Sequence, residues 1–237
     1  MTGQIQGILD TLLPPCCMLC GMSSSSDCLC AACKSELPWQ GISCSGCGLP
    51  LASVHDSVCG TCLKTRPPFT LTVTPLRYEF PADRLVQALK FKRQLVAGRI
   101  LAQLMCENIM TKGVQLPDML IPVPLHAFRL LRRGFNQAYE IASHASRSLG
   151  IQLVAGELRR RRNTSAQSGL SRKQRRKNVR NAFFWRGHQK PGRHVALVDD
   201  VMTTGTTVTE CTRVLKRAGA KRVDIWVATR AISTTHR

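Results

Sequence analysis

The strongest constraint on the fold is the crowding of cysteines near the start of the chain. Ten of the twelve cysteines fall between Cys16 and Cys62. Two residues between cysteines let a tight turn place both thiolates on one edge of a tetrahedron, which is the geometry of a zinc knuckle. Four Cys-x-x-Cys pairs have this spacing, namely Cys17 with Cys20, Cys30 with Cys33, Cys44 with Cys47, and Cys59 with Cys62.

Eight thiolates predict two structural Zn2+ sites of four thiolates each. A four-thiolate site has no open position for a substrate, so its role is to fold the segment. The simplest grouping is sequential, with Cys17, Cys20, Cys30 and Cys33 in one site and Cys44, Cys47, Cys59 and Cys62 in the other. A cross-braced grouping stays open, Cys16 is an alternative to Cys17, and Cys28 is left over. Gly21 and Gly48, directly after a knuckle, suit a left-handed turn.

The sequence also indicates the compartment. No apolar stretch approaches the roughly 20 residues of a membrane-spanning helix. The first ten residues lack the basic region of a secretory signal. We therefore expect a cytoplasmic protein without membrane insertion, in which thiols remain reduced and available for metal.

Positive charge is concentrated outside the cysteine-rich segment. The formal net charge is +20, yet residues 1–66 hold more acids than bases. No acid occurs between Glu157 and Asp199, where arginines and lysines accumulate. The positive electrostatic field of such a segment attracts polyanions. The alternative is a solvated basic loop that only keeps the protein in solution.

A change in residue pattern near residue 66 predicts two domains. Residues 1–66 hold an N-terminal helix, with apolar positions at Ile5, Ile8, Leu9 and Leu12, and the zinc-ribbon-like module. After a linker at Arg66-Pro67-Pro68, residues 67–237 alternate short apolar strands with amphipathic helices. Strands at 119–123, 195–198 and 223–228 and helices at 136–149 and 206–218 predict an α/β domain with a mostly parallel sheet. Ligands of such sheets bind at the carboxyl ends of the strands.

The most informative stretch of the α/β domain runs from Val195 to Thr207 and predicts a strand, an acid pair, a loop and a helix. Hydroxyls, backbone N–H groups and a helix N-terminus suit an anion such as a 5′-phosphate. Adjacent carboxylates accept hydrogen bonds from ribose hydroxyls or hold Mg2+ through water. The alternative is that Asp199 and Asp200 cap the helix and the threonines form an ordinary turn.

These residues resemble the phosphoribosyl-pyrophosphate (PRPP) motif of type I phosphoribosyltransferases. Other segments are similar to signatures of the ComF family, close to the GntX-type DNA-utilization proteins. The segments are Leu89-Lys-Phe-Lys92, Ile121-Pro-Val-Pro124, Arg132-Arg-Gly-Phe-Asn-Gln137, Arg162-Asn-Thr-Ser-Ala-Gln-Ser168 and Arg176-Lys-Asn-Val-Arg-Asn-Ala-Phe183. The resemblance covers nearly the whole chain and implies the type I phosphoribosyltransferase fold.

The resemblance also implies roles for the site residues. Asp199 and Asp200 would bind the ribose hydroxyls and Mg2+, and they are the catalytic candidates. Residues 159–180 lie where related enzymes carry a mobile hood. The implied phosphate contacts are Thr203, Thr204, Gly205, Thr206 and Thr207 for the 5′-phosphate, then Pro124, Leu125 and His126 as the pyrophosphate loop, with Arg132 and Arg133 as nearby cations.

Two functions from different classes fit these residues. The resemblance implies a role in DNA uptake or utilization, as in competence, with single-stranded DNA on the basic hood and DNA-uptake proteins as partners. The alternative is a transferase of nucleotide metabolism that moves the phosphoribosyl group of PRPP to a nitrogenous acceptor.

Several single residues carry two interpretations each. Phe183, Phe184 and Trp185 either stack on bases or form the core of a strand. Lys90, Phe91 and Lys92 either face the ligand or end a helix. His126 and His144 are general-base candidates by residue type alone. Cys106 and Cys211 lie in apolar helical stretches, which favours core packing over nucleophilic chemistry.

Overall fold

The computed structural model describes residues 16–24, 28–53, 55–161, 179, 181–187 and 190–232. The N-terminal helix predicted at residues 4–12 lies outside these ranges. So does most of the predicted hood, including the 162–168 motif and all but Val179 of residues 176–180.

The cysteine-rich segment contains two short helices that each begin at a knuckle. Helix α1 spans Ala31–Ser35 and helix α2 spans Gly60–Lys64. Cys30 precedes α1, and its sulfur accepts a hydrogen bond from the backbone N–H of Cys33. Cys59 precedes α2 in the same extended conformation. The two halves of the segment are therefore built in the same way, as two successive ribbons.

The α/β body alternates strands with helices, as the sequence predicts. Its elements are β1 (Thr72–Val73), β2 (Leu76–Arg77), α3 (Ala82–Lys92), α4 (Leu95–Thr111), β3 (Met119–Pro122), α5 (Ala127–Arg133), α6 (Gln137–Leu149), β4 (Gln152–Leu153), β5 (Leu158–Arg160), β6 (Phe183–Trp185), β7 (His194–Met202), α7 (Thr206–Ala218) and β8 (Arg222–Arg230). Every helix of this described part is too short or too polar to cross a lipid bilayer.

The main sheet is parallel and has the strand order β1-β8-β7-β3-β4, with β2 also paired to β8. Strands β5 and β6 form a separate antiparallel pair. Because β7 and β8 are central, their side chains are buried on both faces of the sheet, and nearly every residue of each strand is buried. The predicted mostly parallel α/β fold is confirmed.

Alternate residues of the central strands point into two separate apolar cores. Ala196 and Val198 of β7 pack with helices α3, α4 and α6. Val195 and Leu197 pack on the opposite face with α7 and with β5 and β6. Phe183 is 3% exposed and belongs to this second core. The helices thus cover both faces and leave the carboxyl edge of the strands for a site.

The zinc-ribbon module packs directly on the body. Leu29 and Leu37 share an apolar cluster with α4 residues such as Leu101. Lys34 of α1 lies 2.8 Å (Nζ to Oε2) from Glu107 of α4. Our division at residue 66 stays a prediction, and these contacts indicate that the two parts are not independent.

Candidate functional site

The acid pair lies at the carboxyl edge of the sheet, beside the end of β3. Asp199 and Asp200 lie in the second half of the long strand β7. The backbone N–H of Val123 donates to the carbonyl of Val198 over 2.9 Å, so the loop after β3 starts next to Asp199. The acid pair and the loop after β3 therefore meet at one edge of the sheet.

The two acids repel each other, and a cation would relieve that repulsion. Burial raises the pKa of Asp199 well above its usual value, and the charge of Asp200 raises this pKa further. Lys90 offsets part of the effect, with its Nζ 2.7 Å from Oδ2 of Asp200. Among the described residues, no side-chain cation lies within salt-bridge distance of Asp199. The donor set consequently fits Mg2+ or the hydroxyls of a ribose.

The threonine loop connects the acids to helix α7. Gly205 precedes the helix with a φ of 72°, a left-handed conformation that favours glycine. Among the described residues, no side chain caps the N-terminus of α7. Thr204 and Thr206 are joined by a hydrogen bond of 2.7 Å between their hydroxyls. Hydroxyls and backbone N–H groups with the positive end of a helix dipole form a suitable phosphate site.

The loop after β3 is organised by caps rather than by catalytic groups. His126 precedes α5, and its Nδ1 accepts a hydrogen bond from the backbone N–H of Phe128 over 3.2 Å. This bond favours a capping role for His126 over general-base chemistry. Asn136 caps α6 and donates from its amide to the carbonyl of Val123 over 3.1 Å. The Arg-Arg-Gly-Phe-Asn-Gln segment is thus tied to the end of β3.

Arginines line the same side of the site. Burial lowers the pKa of Arg133, while the negative charge of Asp200 opposes that shift. The guanidinium of Arg133 lies 5.9 Å from the ring centre of Phe91, which is 73% exposed. Burial also lowers the pKa of Arg160 in β5, and Asp199 again opposes the change. Cations therefore approach the acid pair from α3, α5 and β5.

Lys90 and Arg160 show what sequence reasoning can miss. The Leu-Lys-Phe-Lys segment suggested two roles for Lys90, and the structure puts its ammonium on Asp200 while Lys92 is exposed. Arg160 was one of many basic residues of the hood. Only the pairing of β5 with β6 indicates that this arginine is buried, at 9% exposure.

The surroundings of Cys106, Cys211 and His144 favour structural roles over catalytic ones. Burial raises the pKa of the Cys106 thiol to about 11. Burial, aided by the charge of Asp199, raises the pKa of Cys211 well above its usual value. Both thiols pack in apolar cores and stay protonated. Burial and neighbouring arginines lower the pKa of His144, whose Nδ1 lies 2.9 Å from Nη2 of Arg147 on the outer side of α6.

The cysteines form two clusters in the sequential grouping. In each cluster, the four sulfur atoms lie within 4.8 Å of one another. The sulfurs of Cys20 and Cys30 are 3.7 Å apart, and those of Cys47 and Cys59 are 3.6 Å apart. A Zn–S bond of about 2.3 Å gives a tetrahedral S–S edge of about 3.8 Å. The clusters that fit Zn2+ are Cys17, Cys20, Cys30 and Cys33, and Cys44, Cys47, Cys59 and Cys62.

The remaining cysteines of the module lie outside both clusters. Cys28 has a φ of 54°, and its sulfur is 3.4 Å from Nη2 of Arg99. Cys16 pairs through its backbone with Ser23 and is exposed. Neither the cross-braced grouping nor the replacement of Cys17 by Cys16 is the arrangement in the structure.

Fold and site together define a phosphoribosyltransferase-type α/β domain joined to a double zinc ribbon. A family model described as a phosphoribosyl transferase domain matches residues 128–237. A second, described as a double zinc ribbon domain, matches residues 8–63. The predicted fold class, including the N-terminal zinc-ribbon module, is therefore confirmed.

The chain belongs to the family of competence protein F and DNA utilization protein YhgH, as the resemblance to the ComF family predicted. Competence protein F of Haemophilus influenzae is 37% identical over 212 residues, which cover 86% of this chain and 90% of that protein. DNA utilization protein YhgH of Escherichia coli O157:H7 is 37% identical over 226 residues, which cover 93% and 99%.

Solved structures match this chain less well. A glutamine PRPP amidotransferase from B. subtilis, complexed with ADP and GMP, aligns with a TM-score of 0.36 at 22% identity. The alignment covers 55% of this chain and 25% of that chain. An overlap this small adds nothing to the assignment.

Proposed function

We propose that this chain binds PRPP with Mg2+ at the carboxyl edge of the sheet and acts in DNA uptake or utilization. The observation that carries the proposal is the arrangement around residues 199–207. A carboxylate pair with a raised Asp199 pKa lies at one end of a short loop, and the N-terminus of α7 lies at the other. The hydroxyls of a phosphorylated ribose fit the carboxylate pair, and its phosphate fits the N-terminus of α7.

Each part of the ligand has its own protein contacts in this proposal. The 5′-phosphate binds the N–H groups and hydroxyls of Thr203–Thr207, and the ribose hydroxyls donate to Asp199 and Asp200. Mg2+, held by the same acids, would neutralise charge on the pyrophosphate. The pyrophosphate lies along Pro124–His126, where Arg132 and Arg133 supply positive charge.

Calorimetry tests the ligand. We expect PRPP to bind only with Mg2+ present, and ribose 5-phosphate to bind more weakly because it lacks the pyrophosphate. Replacing both acids, Asp199→Asn with Asp200→Asn, should abolish the Mg2+-dependent binding, whereas Lys92→Gln on the exposed end of α3 should not change it. Equal binding by the double variant and the wild type would refute the proposed site.

The alternative activity is transfer of the phosphoribosyl group to a nitrogenous acceptor. In that reaction the bond from C1′ to pyrophosphate breaks, a bond from C1′ to the acceptor nitrogen forms, and the acceptor loses a proton. Cations on three elements around the acids, Lys90, Arg133 and Arg160, favour departure of an anionic leaving group. A pyrophosphate-release screen over bases and amines decides the question, because an enzyme must consume one acceptor. If PRPP binds normally and no acceptor is consumed, the chain is a PRPP-binding protein without transferase activity.

The role in DNA handling is extended from the relatives, whose names are competence protein and DNA utilization protein. The net charge of +20 supports contact with a polyanion such as single-stranded DNA. Arg161 lies 5.7 Å from the ring centre of Phe184, which is only partly buried. That pair combines a cation with an aromatic face, as single-strand binding requires.

A salt titration tests this contact. Phosphate contacts release counterions, so affinity for an oligothymidylate should fall steeply and log-linearly with salt concentration. Phe184→Leu should weaken binding by about five- to tenfold or more, since a stacked base contributes about 1–3 kcal/mol. Leu116→Ala, at an exposed position remote from these arginines in the chain, is the control. A flat salt response would remove single-stranded DNA from the proposal.

A further inference from the structure

Arg230 connects the second cysteine cluster to the proposed phosphate loop. It is the last residue of β8 and only 4% exposed. Its Nε donates to the carbonyl of Cys47 over 2.8 Å. Its Nη1 donates to the carbonyls of Met202, Thr203 and Ala231. One guanidinium thus holds a zinc-ligand residue on one side and the start of the threonine loop on the other.

The charge of Arg230 has an unusual environment. Within the described ranges, no carboxylate forms a salt bridge with this guanidinium. The acidic groups that act on its charge are instead thiols of the second cluster, Cys47, Cys59 and Cys62. Four thiolates around one Zn2+ leave two negative charges, which would balance a buried cation. A filled second cluster consequently favours the position that Arg230 occupies.

The knuckle that holds Cys47 is fixed firmly against the sheet. The hydroxyl of Thr72 in β1 donates to the carbonyl of Gly46 over 2.7 Å. The buried amide of Gln40 donates to the carbonyl of Gly48 over 2.6 Å. A Cβ on Gly48 would lie only 2.9 Å from Cγ2 of Thr72. Movement of the cluster would therefore change the position of the carbonyl that Arg230 uses.

We propose that Arg230 is a positioning residue through which the second zinc site sets the affinity of the phosphate loop. The inference rests on the proposed function, because it concerns the same loop. Arg230 touches no ligand in this account. It holds the carbonyls of Met202 and Thr203 so that the next N–H groups face the phosphate, and it keeps this geometry only while the Cys47 knuckle is ordered.

Arg77 provides a matched control. It is also the last residue of a strand, and its Nη1 donates to the carbonyl of Trp39 in the module over 3.1 Å. It therefore bridges the module and the body as Arg230 does. Its Nε contacts Glu79 rather than the threonine loop. Arg77 lies opposite Arg230 in the β2–β8 pairing, so replacing it tests a neighbouring contact to the module that does not reach the threonine loop.

The first experiment compares Arg230→Met, Arg230→Lys and Arg77→Met in the zinc-loaded full chain. We expect Arg230→Met to weaken binding of PRPP with Mg2+ by about 5- to 150-fold, the usual range for coupled sites. Arg230→Lys should recover part of this loss, because an ammonium can still reach some of the carbonyls. Arg77→Met should bind as the wild type does. Equal losses for Arg77→Met and Arg230→Met would overturn the inference.

Ligand-free hydrogen exchange separates this inference from the proposed function. In Arg230→Met, the amides of residues 201–209 should exchange at least about tenfold faster than in Arg77→Met. That result requires no ligand, so it stands even if the wild type fails to bind PRPP. Unchanged exchange in this segment would refute the link between Arg230 and the loop.

A measurement on the wild type avoids variants that fold poorly. Coupling is reciprocal in binding free energy, so saturating PRPP in excess Mg2+ should raise the zinc affinity of the second cluster by at least about fivefold at equilibrium with a chelator. A zinc-selective chelator followed by thiol alkylation, mapped by mass spectrometry, resolves Cys44–Cys62 from Cys17–Cys33. Protection of the second cluster alone supports the inference. Equal protection of both clusters, or none despite PRPP binding, would contradict it.

Discussion

Two acids of the sheet, the partly buried Asp199 and the fully buried Asp224, should respond in opposite ways to replacement by asparagine. Asp199 has a pKa raised by burial and by Asp200, so its charge destabilises the ligand-free fold. Asp224 is fully buried but lies 2.9 Å from Nη2 of Arg222 and 2.7 Å from Nε2 of His194. We predict that Asp199→Asn raises the free energy of unfolding at pH 7.5 by about 1–2 kcal/mol. Asp224→Asn should lower it by about 3 kcal/mol.

The stabilisation by Asp199→Asn should depend on pH. A carboxyl whose folded-state pKa is raised binds more protons in the folded state than in the unfolded state. Its contribution therefore falls as pH rises from the unfolded pKa, near 3.9, through the folded pKa. Urea unfolding between pH 5 and 8 should show the advantage of the variant growing with pH. An advantage that shrinks with rising pH would show that Asp199 is stabilised as an anion.

Lys90 should stabilise the acid pair in the absence of ligand. Its ammonium contacts Asp200, which is 7% exposed, while the Lys90 side chain is 24% exposed. Lys90→Met leaves a buried carboxylate without its cation, and we predict a loss of about 1–3 kcal/mol of unfolding free energy. Lys92→Met in the same helix is the control and should stay within about 0.5 kcal/mol. Equal values from chemical denaturation of the two variants would contradict the role of Lys90.

For single residues, the sequence predicts a site whose residues are neighbours in the chain. It misses contacts between residues that are distant in the chain and meet only in the fold. Asp199, Asp200 and the threonine loop are neighbours in the chain, so the order of residue types indicated their chemistry. Arg230 and Cys47 lie near opposite ends of the sequence, and nothing in either segment marks the other as a partner. Their contact follows from the docking of the second knuckle on β1, which pairs with β8, and sequence patterns do not specify this docking.

At the scale of elements, the two glycines after knuckles offer a controlled comparison. Gly21 and Gly48 have φ values of 77° and 69°, so alanine is strained at both. Around Gly21 a Cβ would meet nothing within 4 Å, whereas at Gly48 it would meet Thr72 at 2.9 Å. Gly21→Ala should cost about 1 kcal/mol, the backbone strain alone. Gly48→Ala should cost at least about 1 kcal/mol more and release zinc faster, as denaturation and zinc-release assays would show. Equal effects would mean that the second ribbon is not packed tightly on β1.

The break between α3 and α4 had no sequence signal. Apolar periodicity continues from Leu85 through Ile100, and neither glycine nor proline stands at the break, because Gly98 lies inside α4. The structure ends α3 at Arg93, which has a φ of 55°. Left-handed arginine is uncommon, so the pattern favoured helix throughout. The break sets the end of α3 at the site, with Lys90 on the acid pair.

At the scale of the whole molecule, zinc should stabilise more than the ribbons. Leu29 and Leu37 of the module share one apolar cluster with the body, and Arg230 joins the second ribbon to the sheet. We predict that stripping zinc lowers the unfolding free energy of the whole chain by about 3 kcal/mol or more. Scanning calorimetry before chelation, after chelation and after zinc is restored would measure this. A body transition that stays at the same temperature would show that the module folds separately.

The type of fold was predictable from the sequence, but the strand order and the docking of the second ribbon were not. Alternation of strands and helices indicated a parallel sheet with its site at the carboxyl edge. The order β1-β8-β7-β3-β4 places the last strand, β8, between β1 and β7, and it arises from packing that local patterns do not encode. Docking of the second ribbon beside the phosphate loop depends on that order and was not predictable.

Diffraction from crystals soaked with PRPP and Mg2+ tests the central claim most directly. The account predicts density for a phosphate within hydrogen-bond distance of the N–H groups of residues 204–207. It also predicts the ribose hydroxyls on Asp199 and Asp200. Density for PRPP at another surface, with Lys90 still on Asp200 and the threonine loop empty, would contradict it.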